Sequence, residues 1–307
     1  MLSQKRTGSL VIQAPAKLNL FLEILGQRDD GFHELETLMV SVSLYDTLIF
    51  QKEIKKKIHL HCNDASQNLN KERSSIETIP NDEKNLIVQA ARLLQEETGV
   101  LEGVCITLQK RIPAAAGLAG GSSDAAATLV GLNRFWKLGL EKKELWRLAS
   151  KLGSDVPFFL ASSPVAVCRG RGELIEPITF SGQGHFVIAR PQSGLSTAEV
   201  FRHYRQNQDK KSQPRSVEPL LSSLKKGTFS NTGQHFYNAL QTPARSLNSE
   251  VKQLGNILEK QPIEGHLMSG SGSACFGLCS SHRQANKIAH ALRSQGIPQT
   301  FVVSISI

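Results

Sequence analysis

Apolar positions in the first sixty residues recur at the short intervals of extended chain. LVIQA (10–14) and LNLFLEIL (18–25) are rich in apolar and β-compatible residues, and each predicts a strand. QRDDG (27–31) carries an Asp-Gly turn signal, after which FHELETLMVSV (32–42) resumes an extended pattern. Further strands are expected near 46–52 and 57–62, and the polar stretch 63–84 reads as a loop, in part disordered.

The period then lengthens. Asn85 reads as the cap of a helix, LIVQAARLLQEET, with Gly99 as its stop. GVCITLQK (103–110) predicts a strand, and a glycine-rich loop follows it. Ser122 or Ser123 is the expected cap of the next helix, which ends near Gly139, and EKKELWRLASKL predicts a third helix ending at Gly153. Past residue 163 the expected strands are 164–168, 173–178, 185–190, 263–269, 274–279 and 299–306, with helices at 197–206, 243–260 and 281–295. Strands and helices mix without strict alternation, which predicts two α+β domains, 1–162 and 163–307, rather than a doubly wound sheet. There is no internal repeat, and QNQDKKSQPRS (206–216) is the clearest low-complexity loop.

Composition narrows the class. In 307 residues, 40% are hydrophobic and 21% charged, as in globular proteins. MLSQKRTGSL has no apolar core of signal-peptide length, and no apolar run approaches the ~18 residues of a membrane span. Five cysteines without a CxxC pair suit packing positions in a reducing compartment, so a cytoplasmic location is expected. The net charge of +9 admits either a nucleic acid or a small anionic substrate. The basic stretches at 52–57, 141–147 and 202–211 mix in acids or lack interleaved aromatics, which favours solvated faces over a nucleic-acid groove.

The loop IPAAAGLAGGSSDAAATL (112–129) is the strongest chemical signal. It sits between a predicted strand and a predicted helix, whose unpaired N-terminal amides and partial positive charge attract anions. Gly117, Gly120 and Gly121 allow close approach to phosphates. Ser122 and Ser123 can donate hydroxyls or help hold a metal, and the alanines at 125–127 let the helix pack tightly. With no lysine after the glycines it is not the GxxxxGK[ST] loop, and it is not GxGxxG. Tight helix–strand packing is the alternative use of such glycines.

PAAAGLAGGSSDAA (113–126) resembles the phosphate-binding motif of the GHMP small-molecule kinases. Three further stretches match in order: PAKLNLFLEILGQRDDGFHELETLM (15–39), LGSDVPFFL (152–160) and LMSGSGSACFGL (267–278) are similar to the family's first, catalytic and third motifs. They look most like the branch whose alcohol substrate is 4-diphosphocytidyl-2-C-methyl-D-erythritol. The resemblance implies a two-domain GHMP kinase fold of the α+β class, with an N-terminal ribosomal-protein-S5-domain-2-like part, a left-handed β-α-β crossover and a C-terminal ferredoxin-like part. It also implies ATP as donor, Mg²⁺ arriving with it, no protein metal cage, no nucleic-acid or membrane partner, and a monomer or weak dimer.

Carried over residue by residue, the resemblance makes Asp155 the general base. By pattern alone Asp155 is a turn or cap residue, with Pro157 expected to push Val156 into an extended conformation. Lys17, otherwise a solvated strand-end charge, becomes the cation beside the reacting hydroxyl, where an ammonium favours an ionised carboxylate. Pro113, Ala114, Ala115, Ala116, Gly117, Leu118, Ala119, Gly120, Gly121, Ser122 and Ser123 are expected at ATP, with Asn85 near adenine unless capping absorbs it. Asn19, Phe32, His33, Thr197, Phe201, Gly270 and Ser271 are expected on the acceptor side. By composition His33 is a surface histidine. Thr197 and Phe201 share a helix face, and Phe201 serves either as a wall for cytosine or as core. Gly270, Ser271 and Gly272 form a hairpin turn or a loop closing on the phosphates or the acceptor. Three departures stand out: Ala115 and Ala119 replace family glycines, and NALQTP (238–243) lacks the family's acids, so that segment receives no role.

Overall fold

A computed structural model of the chain describes all residues except Leu2, Thr7, 65–79, Ser181, 208–212, 226–228, Ser230 and Ile307. Most of the expected loop at 63–84, and part of that at 206–216, therefore lies outside the described residues. The chain divides into two compact units, Met1–Ala16 with Leu44–Ala114 and Ala119–Ala161, and Lys17–Ser43 with Ala115–Leu118 and Ser162–Ile307. The cut after Ala161 falls one residue from the expected domain boundary. Lys17–Ser43 and Ala115–Leu118, however, group with the later part of the chain.

In the first unit, β1 (Ser3–Arg6) pairs antiparallel with the start of β2 (Ser9–Gln27), a single 19-residue strand where two were expected. Pro15 does not divide it. The expected strands at 32–42 and 46–52 are likewise one, β3 (His33–Glu53). β4 (Ile58–Asp64) leads through α1 (Leu86–Thr98) to β5 (Gly103–Lys110), and β4 and β5 pair in parallel. The strand order is β1-β2-β3-β5-β4. Asn85 caps α1 as expected, its side chain accepting from the Ile87 amide, and Gly99 ends it in the left-handed region at φ 71°. α2 (Gly120–Phe135) and α3 (Lys142–Leu152) follow. Ala125, Ala126 and Ala127 are all fully buried, which is the tight packing their small side chains allow.

The second unit takes the rest of β2 and the start of β3, whose residues 35–40 pair with β6 (Val165–Gly170), itself paired with β7 (Leu174–Pro177). β8 (His185–Ala189) leads to α4 (Thr197–Asn207) and α5 (Glu218–Lys225), the latter a helix without a sequence expectation. β9 (Tyr237–Asn238) runs parallel to β2 at Phe21 and Leu22. The helix expected over 243–260 is two, α6 (Gln241–Leu247) and α7 (Ser249–Glu259), because Asn248 turns extended and caps the second with its side chain. β10 (Gly265–Met268), β11 (Cys275–Cys279), α8 (His282–Ser294) and β12 (Thr300–Ser304) complete the chain. An antiparallel sheet in the order β10-β11-β8-β12 buries Val187, Ala189 and Cys275 against Leu254, Leu258, Ile288 and Leu292 of α7 and α8. Among the described residues no helix is long and apolar enough to cross a membrane.

Candidate functional site

Residues two apart on a strand share a face, so β2 presents Lys17 and Asn19 together. Lys17 is only 3% exposed. Its Nζ donates to Asn19 Oδ1 at 2.5 Å and to the Gly117 carbonyl at 2.9 Å. Asn19 Nδ2 donates to Thr37 Oγ1 on β3 (2.8 Å), and Thr37 in turn donates to the Phe21 carbonyl (2.6 Å). The Asn19 amide donates to Ser269 Oγ (3.2 Å), and that hydroxyl donates to the Gly117 carbonyl (3.0 Å). The two glycine-rich loops thus meet at Lys17. Gly117 sits at φ 74°, and a Cβ there would lie 2.0 Å from the Ser269 carbonyl oxygen, so no other residue fits. Gly270, at φ 55°, would place a Cβ 3.3 Å from both Lys17 Nζ and Asn19 Oδ1.

Sequence reasoning gave segment 238–243 no role, and the structure corrects this. Asn238 Nδ2 donates to the carbonyls of Met268 (2.7 Å) and Gly270 (2.8 Å), so one buried amide fixes both ends of the Ser269–Gly270 corner. The missing acids were the wrong thing to look for. The role of Asn238 is decided by partners about thirty residues away, and no local signal in the sequence marks it.

The remaining acceptor-side candidates of this unit also assemble. His33 and Phe201 stack with ring centroids 4.8 Å apart. His33 is half-buried rather than on the surface, and its Nε2 is buried with no partner among the described residues. Burial, aided by the charge of Arg205, holds its pKa below the ordinary imidazole value. Thr197 Oγ1 and Ser271 Oγ share a hydrogen bond of 2.8 Å, and the Arg171 guanidinium lies 4.8 Å over the ring of Phe32, which is 51% exposed.

In the first unit, the loop expected to bind ATP runs into α2. Its helix is capped neither by Ser122 nor by Ser123. The N-cap is Ala119 at φ 54°, with no side-chain bond, and the earliest helical amides are left facing out of the helix end. Ser123 is instead buried inside the first turn, its Oγ without a partner among the described residues. Ala115, at φ 49°, also adopts the left-handed conformation. Both alanines that replace family glycines therefore keep the glycine backbone, at about 1–2 kcal/mol each. Asn85 commits its side chain to the Ile87 amide and the Pro80 carbonyl, the capping use.

Sequence reasoning missed three charged residues behind this loop. Lys110, 5% exposed at the end of β5, donates to Asp46 of β3 and to Asp124 of α2 (3.1 Å). Asp46 Oδ1 also accepts the amides of Arg111 (2.6 Å) and Ile112 (2.9 Å). The cluster clamps both the strand exit and the helix entry of the loop. A Cβ on Gly120 would lie 2.6 Å from Lys110 Nζ, so this glycine makes room for the ammonium. Burial and the charge of Asp46 push the Asp124 carboxyl up to about 7, against the opposing pull of Lys110. Burial pulls the Lys110 ammonium down, but Asp124 and Asp46 more than offset it and the net shift is upward. One ammonium serves two carboxylates. Asp46 has three donors, while Asp124 Oδ1 has none among the described residues.

Asp155 stands half-buried in the turn after α3. Val156 is not extended before Pro157, as expected, but αR at φ −63°, ψ −44°. The reason is that Pro157 opens a short 3-10 turn (Pro157–Leu160), where its fixed φ is favourable and its missing amide costs nothing.

Comparison with known proteins gives a consistent result. Residues 85–163 match the N-terminal domain of the GHMP kinases, and residues 220–298 match their C-terminal domain. A 4-diphosphocytidyl-2-C-methyl-D-erythritol kinase of Bacillus cereus (strain B4264) is 37% identical over 284 residues, 92% of this chain and 93% of that protein. A putative kinase of the same name from Staphylococcus haemolyticus (strain JCSC1435) is 38% identical over 279 residues, 91% and 93% of the two chains. A crystal structure of a 4-(cytidine 5'-diphospho)-2C-methyl-D-erythritol kinase superposes with a TM-score of 0.76 at 34% identity, covering 97% of this chain and 99% of that one. A homoserine kinase from Cytophaga hutchinsonii shares the fold at 19% identity, with a TM-score of 0.73 and coverage of 100% and 97%.

Proposed function

The chain belongs to the 4-diphosphocytidyl-2-C-methyl-D-erythritol kinase family of the GHMP kinases, and from that premise we propose that it transfers the γ-phosphoryl of ATP to the 2-hydroxyl of that cytidyl alcohol, a step toward isoprenoid precursors in the non-mevalonate route. It is an ATP-dependent kinase, and its substrates are small molecules. Phosphoryl transfer asks little covalent chemistry of a protein beyond alignment, charge stabilisation and a proton acceptor. Asp155 takes the hydroxyl proton as the new O–P bond forms, the bond from the γ-phosphorus to the bridging oxygen breaks, and ADP leaves. Lys17 stabilises the charge on the reacting oxygens. The amides that open α2, with Gly117 and its neighbours from Pro113 to Ser123, hold the phosphates.

Mg²⁺ supplies neutralisation of phosphate charge. Among the described residues no three His, Cys, Asp or Glu side chains cluster for a metal. An ion carried by ATP with waters retained would ask for few protein donors, and Ser122, at the helix end of the loop, is the hydroxyl that would approach it. On the acceptor side, Phe32, His33, Thr197, Phe201 and Ser271 receive the cytidyl group, and Asn19 and Gly270 border the hydroxyl. Soluble substrates of this kind suit a cytoplasmic enzyme that needs no nucleic-acid or membrane partner.

The observation that carries the acceptor reading is the His33–Phe201 stack with Nε2 buried and unpartnered among the described residues. A ring wall beside an unspent hydrogen-bonding nitrogen suits the edge of a nucleobase. A coupled assay of ADP release with the cytidyl alcohol, homoserine and mevalonate in parallel tests it. Turnover with the cytidyl alcohol alone, inhibited by millimolar CMP, is expected. Turnover with another alcohol and indifference to CMP would overturn the acceptor assignment while leaving the phosphate loop in place.

A further inference from the structure

An asparagine side chain presents an oxygen or an N–H₂ group depending on which way its amide is turned, and the Lys17 ammonium can donate only to the oxygen. We infer that Thr37 is a positioning residue for the reaction: it locks the amide of Asn19 so that Oδ1 faces Lys17 Nζ. The hydroxyl of Thr37 has one proton, and the Phe21 carbonyl 2.6 Å away takes it. What remains toward Asn19 is a lone pair, at 2.8 Å. Only Nδ2 can satisfy a lone pair, so Nδ2 turns to Thr37 and Oδ1 to the ammonium, 2.5 Å from it. Ser269 Oγ accepts the Asn19 backbone amide and has its nearer acceptor in the Gly117 carbonyl (3.0 Å), with Asn19 Oδ1 at 3.5 Å, so the Nδ2 end of the amide is held by Thr37. Thr37 and Asn19 are both buried, so water does not substitute for either partner. Thr37 touches no reacting atom in this scheme. It acts through Asn19 on Lys17.

The inference rests on Lys17 as the charged group at the reacting hydroxyl, and wild-type turnover of the cytidyl alcohol tests that reading separately and first. Thr37→Val keeps the shape and removes the hydroxyl. It is expected to lower kcat roughly tenfold or more, with both KM values within about threefold of wild type, and Thr37→Ser is expected to restore kcat. In a Lys17→Met background, assayed at high enzyme concentration, Thr37→Val is expected to change the residual rate by less than about twofold. Thr37→Ala, which removes the hydroxyl with less bulk, keeps the test open should Thr37→Val fold poorly, because it too must change the Lys17→Met rate by less than about twofold. An equal fall in both backgrounds, or a Thr37→Val loss of folded protein with normal kcat per folded molecule, overturns the inference.

Discussion

Lys17 and Lys110 are both strand lysines with almost no exposure, and they serve different loops. Lys110 lies against two carboxylates and braces backbone at the ends of the phosphate loop. The bonds of Lys17 to Asn19 and Gly117 are bonds to an amide oxygen and a peptide carbonyl. The Asn19 and Gly117 oxygens aim the Lys17 ammonium at the corner where the two glycine-rich loops meet, which suits a group whose charge is to act on a phosphoryl group in transit. Burial and sequence context alone would have paired the two lysines. The loops they serve separate them.

The sharpest way to break this contrast is to remove each function in turn. Asp155→Asn is expected to lower kcat by roughly 10²–10⁴, and Lys17→Met by roughly 10²–10³, both with nucleotide affinity nearly intact. Steady-state kinetics beside a nucleotide titration checks this, and near-normal turnover in either variant removes that residue from the chemistry. Lys110→Met should behave in the opposite way. It strands buried carboxylates, at about 3–5 kcal/mol, or on the order of 10 °C in Tm. A thermally normal Lys110→Met enzyme that has lost activity would place Lys110 in the chemistry and end the distinction.

A smaller effect concerns Asp124, whose pKa rises with folding, from the ordinary carboxylate range to about 7. Between those values the unfolded chain gives up its proton while the folded one keeps it, so this residue's contribution to stability falls as pH rises through that window and levels off above about 7. Asp124→Asn removes the dependence. Its Tm relative to wild type is expected to climb between pH 5 and pH 7.5, and a pH-independent difference would show that Asp124 does not titrate there.

Much of this was legible in the sequence because it is local. β5, α1 with both its caps, α8 to within a residue and the Asp-Gly turn follow from period, capping and turn chemistry. The glycine loops were recognisable because their backbone conformations demand particular residues. Even there Ala115 and Ala119 show that a left-handed position can be held without glycine when the surroundings enforce it. The parts that were not legible are those decided at a distance. Asp46 is 64 residues from Lys110, and Asn238 is 32 from Gly270. A buried Asp in a strand or an Asn before a helix has no periodic signature. Val156 failed for a related reason, since the pre-proline preference gave way to the helical turn that Pro157 opens.

The Asn19 amide and the Ser269 hydroxyl are 250 residues apart in the chain. At synthesis rates of roughly 5–20 residues per second, the ribosome takes about 10–50 s between making the first and the second. For that time the nascent segment around Lys17 lacks the corner against which it packs, and β2 offers an apolar strand to whatever else is near. This half of the molecule cannot be completed before residue 269 is made, and a chain cut short anywhere before it leaves the ribosome with its lysine in place and its socket unmade.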